Sequence, residues 1–328
     1  MKAIVYHRYG QPLDVLKYEE VDKPVPADDE VSIAIRAASV NPYDWHFIFG
    51  TPFLLRLMSG LRQPRRPTPG VDVAGVVEAV GKNVTGFQPG DAVFGWCKQG
   101  SLAEYACTPP STLAAKPEKV SFEQAATLAI AGMTALQALR DRARVQPGQR
   151  VLINGASGGI GTFAVQIAKS LGATVTGVCS TRNLEMVRSI GADRVIDYTR
   201  EDLTRGSERY DVVIDLVGTH SFAAYRRVLK PKGMVVPIGG GGTAGRDFGP
   251  WFRRFLLELL WSPFVSQKLA PLLARGRKED LTALGELVSA GTVTPVIDRR
   301  YPLTAGAEAF QYLAEGHARG KVVVTVAT

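Results

Sequence analysis

The sequence predicts an α/β protein in which a doubly wound parallel sheet is inserted between two parts of a β-rich domain. Three observations predict it. Arg150 to Arg182 reads as strand, glycine turn, helix, strand. Strand-like and helical segments then alternate to Ile238, which is the pattern of a parallel sheet covered by helices. The first 120 residues instead carry short strands separated by Gly/Pro turns, and this pattern returns after Thr294. On this reading residues 1–120 with 291–328 form the β-rich domain and 121–290 the parallel-sheet domain, two domains being ordinary for 328 residues.

The totals fit a soluble globular chain: 45% hydrophobic and 21% charged residues. The net charge of +8 is spread along the chain, with small clusters at Arg62–Arg66 and Arg275–Lys278, too diffuse to argue for nucleic acid. Cys97, Cys107 and Cys179 show no paired spacing, so a reducing compartment without disulfides is expected. The opening residues MKAIVYHRYG lack the apolar stretch of a signal peptide, and no apolar run reaches the roughly 20 residues that span a bilayer. A cytoplasmic protein with no transmembrane segment is the expectation.

In chain order, Lys2–Tyr6 reads as a strand and Gln11–Lys23 as a hairpin or turn region. Val31–Val40 alternates like a strand and runs into Asn41-Pro42-Tyr43-Asp44-Trp45-His46, where the proline ends it and leaves polar groups at a strand end. Asn41 here is either a functional amide or a turn-stabilising residue before proline. Asp44 reads as a helix-capping acid, and His46 as a packed or solvated histidine in preference to an acid catalyst. Phe47–Leu61 is apolar, a loop with a short helix, and Gln63–Gly70 is a Pro- and Arg-rich loop. Val71–Val77 and Ala92–Phe94 are strands flanking the turn Gly86–Asp91. Phe122–Ile130 and Met133–Asp141 are helical, with a break near Gly132.

The dinucleotide-like unit follows. Val151–Ile153 suits a buried parallel strand. Ala156-x-Gly158-x-x-Gly161 has the spacing of the dinucleotide fingerprint with alanine in place of its first glycine. Gly158 would let the backbone approach a pyrophosphate, Gly161 would let the helix pack close to the strand, and the helix N-terminus would present free N–H groups to the phosphates. Ala156, Ser157, Gly158, Gly159 and Ile160 are therefore candidate cofactor contacts; the competing reading is a glycine turn that merely packs tightly. Thr174–Cys179 returns as the second strand. An NAD site wants an acid near its end, but Cys179-Ser180-Thr181-Arg182-Asn183 has none. Two hydroxyls, those of Ser180 and Thr181, and a guanidinium suit a 2′-phosphate, which makes NADPH the expected cofactor, read by Ser180 and Arg182. Alternatively Ser180-Thr181 caps the helix Asn183–Ile190 and Arg182 is solvated. Further strands are expected at Arg194–Ile196, Asp211–Val217 and Met234–Ile238. Leu216, Val217, Ile238, Gly239 and Gly240 then stand at strand C-terminal ends, where ligands of such sheets bind, and are expected near the nicotinamide half.

Residues 241–276 look inserted, and Trp251–Trp261 is strongly apolar with a basic pair. A lid over the active site, a dimer surface or a membrane-surface helix would each fit. Val296–Arg300, a helix Ala305–Glu315 and Lys321–Val326 complete the first domain.

The whole pattern resembles the medium-chain dehydrogenase/reductase superfamily, and within it the zinc-free quinone oxidoreductase branch with its reticulon-interacting-protein-like NADPH oxidoreductases. The motifs are Ser39–Asp44, Pro69–Val77, Val80-Gly81, Pro89–Val93, Gly132–Ala135 and Gly320–Val323. The resemblance implies a Rossmann domain inserted in a GroES-like domain. It places Asn41 beside the nicotinamide, offers Tyr43 and His46 as site-lining donors, and brings Thr134 to the nicotinamide ribose or phosphate, Tyr198 to the adenosine phosphate end and Lys321 near the cofactor. It also implies a homodimer. Zinc-dependent relatives carry Gly-His-Glu where this chain has Gly70-Val71-Asp72. The ligating histidine is thus Val71, the cysteine expected near Asn41-Pro42 is missing, and His7, His46, His220 and His317 offer no ligand pair. No metal is expected.

Without a Lewis acid the acceptor must already be electrophilic, a quinone or an α,β-unsaturated carbonyl, small and lipophilic to suit the apolar segments. The rival expectations are an NADPH-binding sensor with little turnover, which would bind cofactor without oxidising it, and an alcohol dehydrogenase-type enzyme, which would hold stoichiometric zinc.

Overall fold

Fifteen strands form in the computed structural model, which describes residues 1–97, 100–238, 253, 256–260 and 264–327. Along the chain they are β1 (Lys2–Val5), β2 (Lys17–Glu20), β3 (Val31–Val40), β4 (Asp72–Val80), β5 (Ala92–Trp96), β6 (Tyr105–Thr108) and β7 (Leu113–Ala115). Then come β8 (Arg150–Asn154), β9 (Thr174–Cys179), β10 (Arg194–Asp197), β11 (Tyr210–Asp215), β12 (Leu229–Pro237) and β13 (Lys268–Leu269), and finally β14 (Ile297–Pro302) and β15 (Lys321–Thr325). Two compact units result: Met1–Met133 with Gly276–Ala290 and Ile297–Thr328, and Thr134–Arg275 with Gly291–Val296.

The first unit is built on a seven-stranded sheet ordered β14-β15-β3-β4-β5-β7, with β6 also paired to β3. All pairs are antiparallel except β14 with β15. β3 is its centre, with Ile33, Ile35 and Val40 packed among Val73, Val77, Phe310 and Val324 in one core. The register places three strand ends together: Val40 of β3 lies opposite Val322 of β15, and Ser39 lies opposite Asp72 of β4. The helical stretch after Ser121 and the helix Lys278–Ser289 belong to this unit because they pack on its sheet. A side chain at Gly285 would meet Pro117 and Phe94, and one at Gly132 would stand 3.0 Å from Leu284.

Gly132 does not interrupt the helix. Phe122–Ala125 is α-helical, and π-turns at Leu128–Gly132 and Gln137–Arg142 flank the α-turn Met133–Leu136. The glycine is there for close approach to Leu284, not for a bend. The chain after Pro42 also differs from expectation: it enters a helix at once, Pro42–Phe49, with Pro42 in the first turn and Gly50 in the left-handed conformation at its end.

The second unit is a six-stranded, all-parallel sheet ordered β10-β9-β8-β11-β12-β13. Counted within the unit this is 3-2-1-4-5-6, the doubly wound order, whose reversal falls between β8 and β11. Val151, Leu152 and Ile153 are fully buried, as parallel strands covered on both faces must be. Of the apolar stretch Trp251–Trp261, the described residues 253 and 256–260 are helical, and Leu256, Leu257, Leu259 and Leu260 are exposed; the rest lies outside the described residues. No described helix is long and apolar enough to cross a membrane.

Candidate active site

Two constellations gather the predicted residues, one in each unit. In the first unit the ends of β3, β4 and β15 bring Ser39, Asn41, Asp72 and Lys321 into a buried polar cluster. Each side chain follows from register: Asn41 and Lys321 are the residues just beyond the opposed pair Val40 and Val322, and Asp72 starts the strand beside Ser39. The Asp72 carboxylate is completely buried and fully used. Its Oδ2 accepts from Ser39 Oγ at 2.7 Å, Asn41 Nδ2 at 2.9 Å and Lys321 Nζ at 3.3 Å, and its Oδ1 accepts from the Ile130 N–H at 3.0 Å. Lys321, 3% exposed, also donates to Asn41 Oδ1.

Asn41 is thereby fixed. Its Nδ2 donates to Asp72 and to the Ser39 carbonyl at 3.3 Å, so both amide protons are committed within the cluster. Its backbone N–H donates to Asp44 Oδ2 at 2.8 Å, which confirms Asp44 as the capping acid of the helix Pro42–Phe49. Burial, and then the nearby Asp72 charge, push the Asp44 carboxyl up to about 8. The same burial and the Asp44 and Asp72 charges push the Cys97 thiol up to about 12, making it an inert core thiol. Tyr43 stands outside the cluster, half exposed, with its ring 5.0 Å from that of Phe47. His46 Nδ1 sits 2.9 Å from the Thr51 carbonyl, a local tie.

In the second unit the glycine turn joins β8 to the helix Gly159–Ser170. Gly155 adopts φ +91°, and a side chain there would meet Val217 at 2.9 Å and Leu216 at 3.3 Å. Gly161 lies so close under the turn that a Cβ would meet the Gly155 carbonyl oxygen at 2.1 Å and Ala156 at 2.8 Å. The left-handed turn residue is thus Gly155, one position before the alanine of the fingerprint, while Ala156 packs inward beneath Gly177. The first-turn amides of Gly159, Ile160 and Gly161 have no helical acceptor by position, leaving them for an anion.

Around this turn, Asp215 at the end of β11 organises the loop. Its Oδ1 accepts from the N–H groups of Val217 and Gly218 and from Asn154 Nδ2, and its carbonyl accepts from Ile238. Leu216 donates its N–H to the Asn154 carbonyl at 3.1 Å. Gly239 and Gly240 lie outside the described residues. At the end of β9, Ser180 accepts from Asn183 Nδ2 instead of capping the following helix. Thr181 donates to Asp197 Oδ2 at 2.5 Å and, as the largest cause, holds that carboxyl below its ordinary range. Arg182 is exposed, Tyr198 is 60% exposed and follows β10, and Thr134 is buried. Among the described residues no group of three His, Cys, Asp or Glu side chains could hold a metal ion. Val71, where a ligating histidine would stand, is a buried apolar residue, and the carboxylate next to it is saturated by neighbours.

Residues 27–118 match the alcohol dehydrogenase GroES-like domain, and residues 190–324 match the zinc-binding dehydrogenase family. The Arabidopsis thaliana chloroplast envelope quinone oxidoreductase homolog is 34% identical over 99% of this chain and 98% of its own. The chain belongs to the medium-chain dehydrogenase/reductase superfamily. A second Arabidopsis thaliana relative, the chloroplastic NADPH-dependent alkenal/one oxidoreductase, is 36% identical over 99% of this chain and 79% of its own. The quinone oxidoreductase from Coxiella burnetii shares the fold with a TM-score of 0.86 and 33% identity, covering 100% of this chain and 99% of that one. For this dehydrogenase/reductase, sequence reading named Asn41, Asp72 and Lys321 within separate motifs but missed that they meet. The signal was the polar residue at each of three strand ends. It also missed Asn183, taken only as the start of a helix.

Two outcomes follow from the buried cluster. Asp44 is protonated in the fold at pH values where the unfolded chain has ionised it, so the stability it contributes is complete below about pH 4 and is lost as pH rises to about 8. Denaturant unfolding from about pH 5 to about pH 7 is expected to show stability falling by about 1.4 kcal/mol per pH unit from this group, and Asp44→Asn is expected to flatten that slope. Lys321→Met strands a buried carboxylate and is expected to cost about 3–5 kcal/mol, with the paired change Asp72→Asn recovering at least half of the loss in the same assay.

Proposed function

We propose that the chain is an NADPH-dependent reductase that delivers hydride to a quinone or an α,β-unsaturated carbonyl without a metal. The observation that carries this reading is the Lys321–Asp72 pair: at the strand ends where a metal ligand set would be needed, the cation held by the carboxylate is the chain's own ammonium. The names of the two Arabidopsis thaliana relatives, a quinone oxidoreductase homolog and an alkenal/one oxidoreductase, support this acceptor class.

Bound NADPH supplies the hydride. The chain's residues bind, orient and shield. The amides of Gly159 and Ile160, with Ala156, Ser157 and Gly158, cradle the pyrophosphate at the positive end of the helix. Ser180 and Arg182 take the 2′-phosphate, and Tyr198 flanks it. Leu216, Val217 and Ile238 line the nicotinamide half, and Thr134 serves its ribose or phosphate. Asn41 and Lys321 form a rigid polar pair within the first unit, and the family resemblance assigns both to the cofactor. Because both protons of the Asn41 amide are committed, the donor to the oxygen that gains charge comes from elsewhere, and the half-exposed Tyr43 hydroxyl is the candidate. A conjugated acceptor spreads its charge internally, so orientation and one or two donors suffice.

A panel of quinones and enones, followed by NADPH absorbance, tests the reading. Turnover is expected with NADPH in preference to NADH and unchanged by chelator. Chelator-sensitive turnover would make the enzyme metal-dependent, and tight NADPH binding with no turnover on any acceptor would replace the reductase by a cofactor-binding protein.

A further inference from the structure

Asn183 ends the one-turn helix Thr181–Asn183 that follows β9, and it is 4% exposed. Its Nδ2 donates to two serine hydroxyls, Ser157 Oγ at 3.1 Å and Ser180 Oγ at 3.3 Å. Those serines come from the two places the cofactor reading uses: Ser157 from the glycine turn, Ser180 from the end of β9. An amide nitrogen carries two protons and no acceptor site, whereas a hydroxyl carries one proton and two lone pairs. A hydroxyl that accepts from Asn183 must therefore turn its own proton elsewhere. Neither serine hydroxyl donates to an acceptor among the described residues. The adjacent Thr181 is different, since its proton is committed to Asp197. Of the three hydroxyls, only Ser157 and Ser180 keep a proton to give, and a phosphate oxygen can only accept.

We infer that Asn183 is a positioning residue that presets both serine hydroxyls as donors and so ties the pyrophosphate turn to the 2′-phosphate end in one rigid unit. This rests on the NADPH reading above. The Asn183 Oδ1 is buried with no partner among the described residues, an uncompensated acceptor that a ribose hydroxyl of the bound dinucleotide would satisfy. A fixed donor matters more to the 2′-phosphate of NADPH than to the 2′-hydroxyl of NADH, because the hydroxyl can donate or accept as its neighbour requires. Asn183 is therefore a determinant of cofactor choice without itself reaching the phosphate.

The test is equilibrium binding of NADPH and NADH by cofactor fluorescence, which needs no turnover, on the wild type, Asn183→Leu, Ser180→Ala and the double variant, with melting temperatures alongside. Asn183→Leu is expected to weaken NADPH by about tenfold and NADH by less than about threefold. The double variant is expected to prefer NADPH no less than Ser180→Ala alone, because the two residues act through one hydroxyl. Asn183→Asp, whose carboxylate would pull both hydroxyl protons inward, is expected to erode the preference further, and it carries the test if the leucine variant melts early. A wild-type preference that survives these changes, or an equal loss for both cofactors, overturns the inference. A wild type that does not prefer NADPH overturns the cofactor reading instead.

Discussion

A buried ammonium and a buried carboxylate, Lys321 and Asp72, come within 3.3 Å at the point where three strands of the first unit begin or end. Either charge without the other would be prohibitively costly there, away from water. Their pairing therefore demands the register that brings β15, β3 and β4 into line, and the register in turn fixes Asn41. Ser39 and the Ile130 amide complete the carboxylate's bonding, so the cluster is closed from every side the sheet offers. This arrangement specifies geometry more than it adds stability: an apolar pair of the same volume would pack as well, but it would leave the Asn41 amide free to turn.

In the second unit the corresponding constraint is steric. Gly161 has no room for a Cβ because the Gly155 carbonyl and Ala156 lie against it. That contact presses the helix N-terminus onto the end of β8, and with it the first-turn amides that every helix leaves without an acceptor. Asn183 then ties the turn laterally to the end of β9. Both units hold polar groups rigidly where a ligand would otherwise have to organise them, which lowers the ordering cost of binding. A hydride acceptor with its own conjugation needs little more than such pre-organisation.

Much of this was legible from local pattern. β3 fell on Val31–Val40, and the strand–turn–helix–strand unit at Arg150–Arg182 was evident because apolar periodicity and glycine spacing agree over short distances. The motif containing Lys321 was recognisable, but its partner Asp72 lies 249 residues earlier, and no local signal joins them. Gly132 was misread as a break because a glycine inside a helical pattern looks the same whether it bends the chain or admits a neighbour, here Leu284. Asn183 was hidden for a related reason. Its helix-start position gave a sufficient local explanation, while its bond to Ser157 spans 26 residues.

The most direct test of the central claim is deuterium transfer. Metal-stripped protein, NADPH deuterated at the transferable C4 position and an enone would be combined, and the reduced product examined by NMR. The account predicts a saturated ketone carrying deuterium on carbon, formed at the same rate as with untreated protein. No product from the stripped protein, with activity restored by zinc, would contradict it.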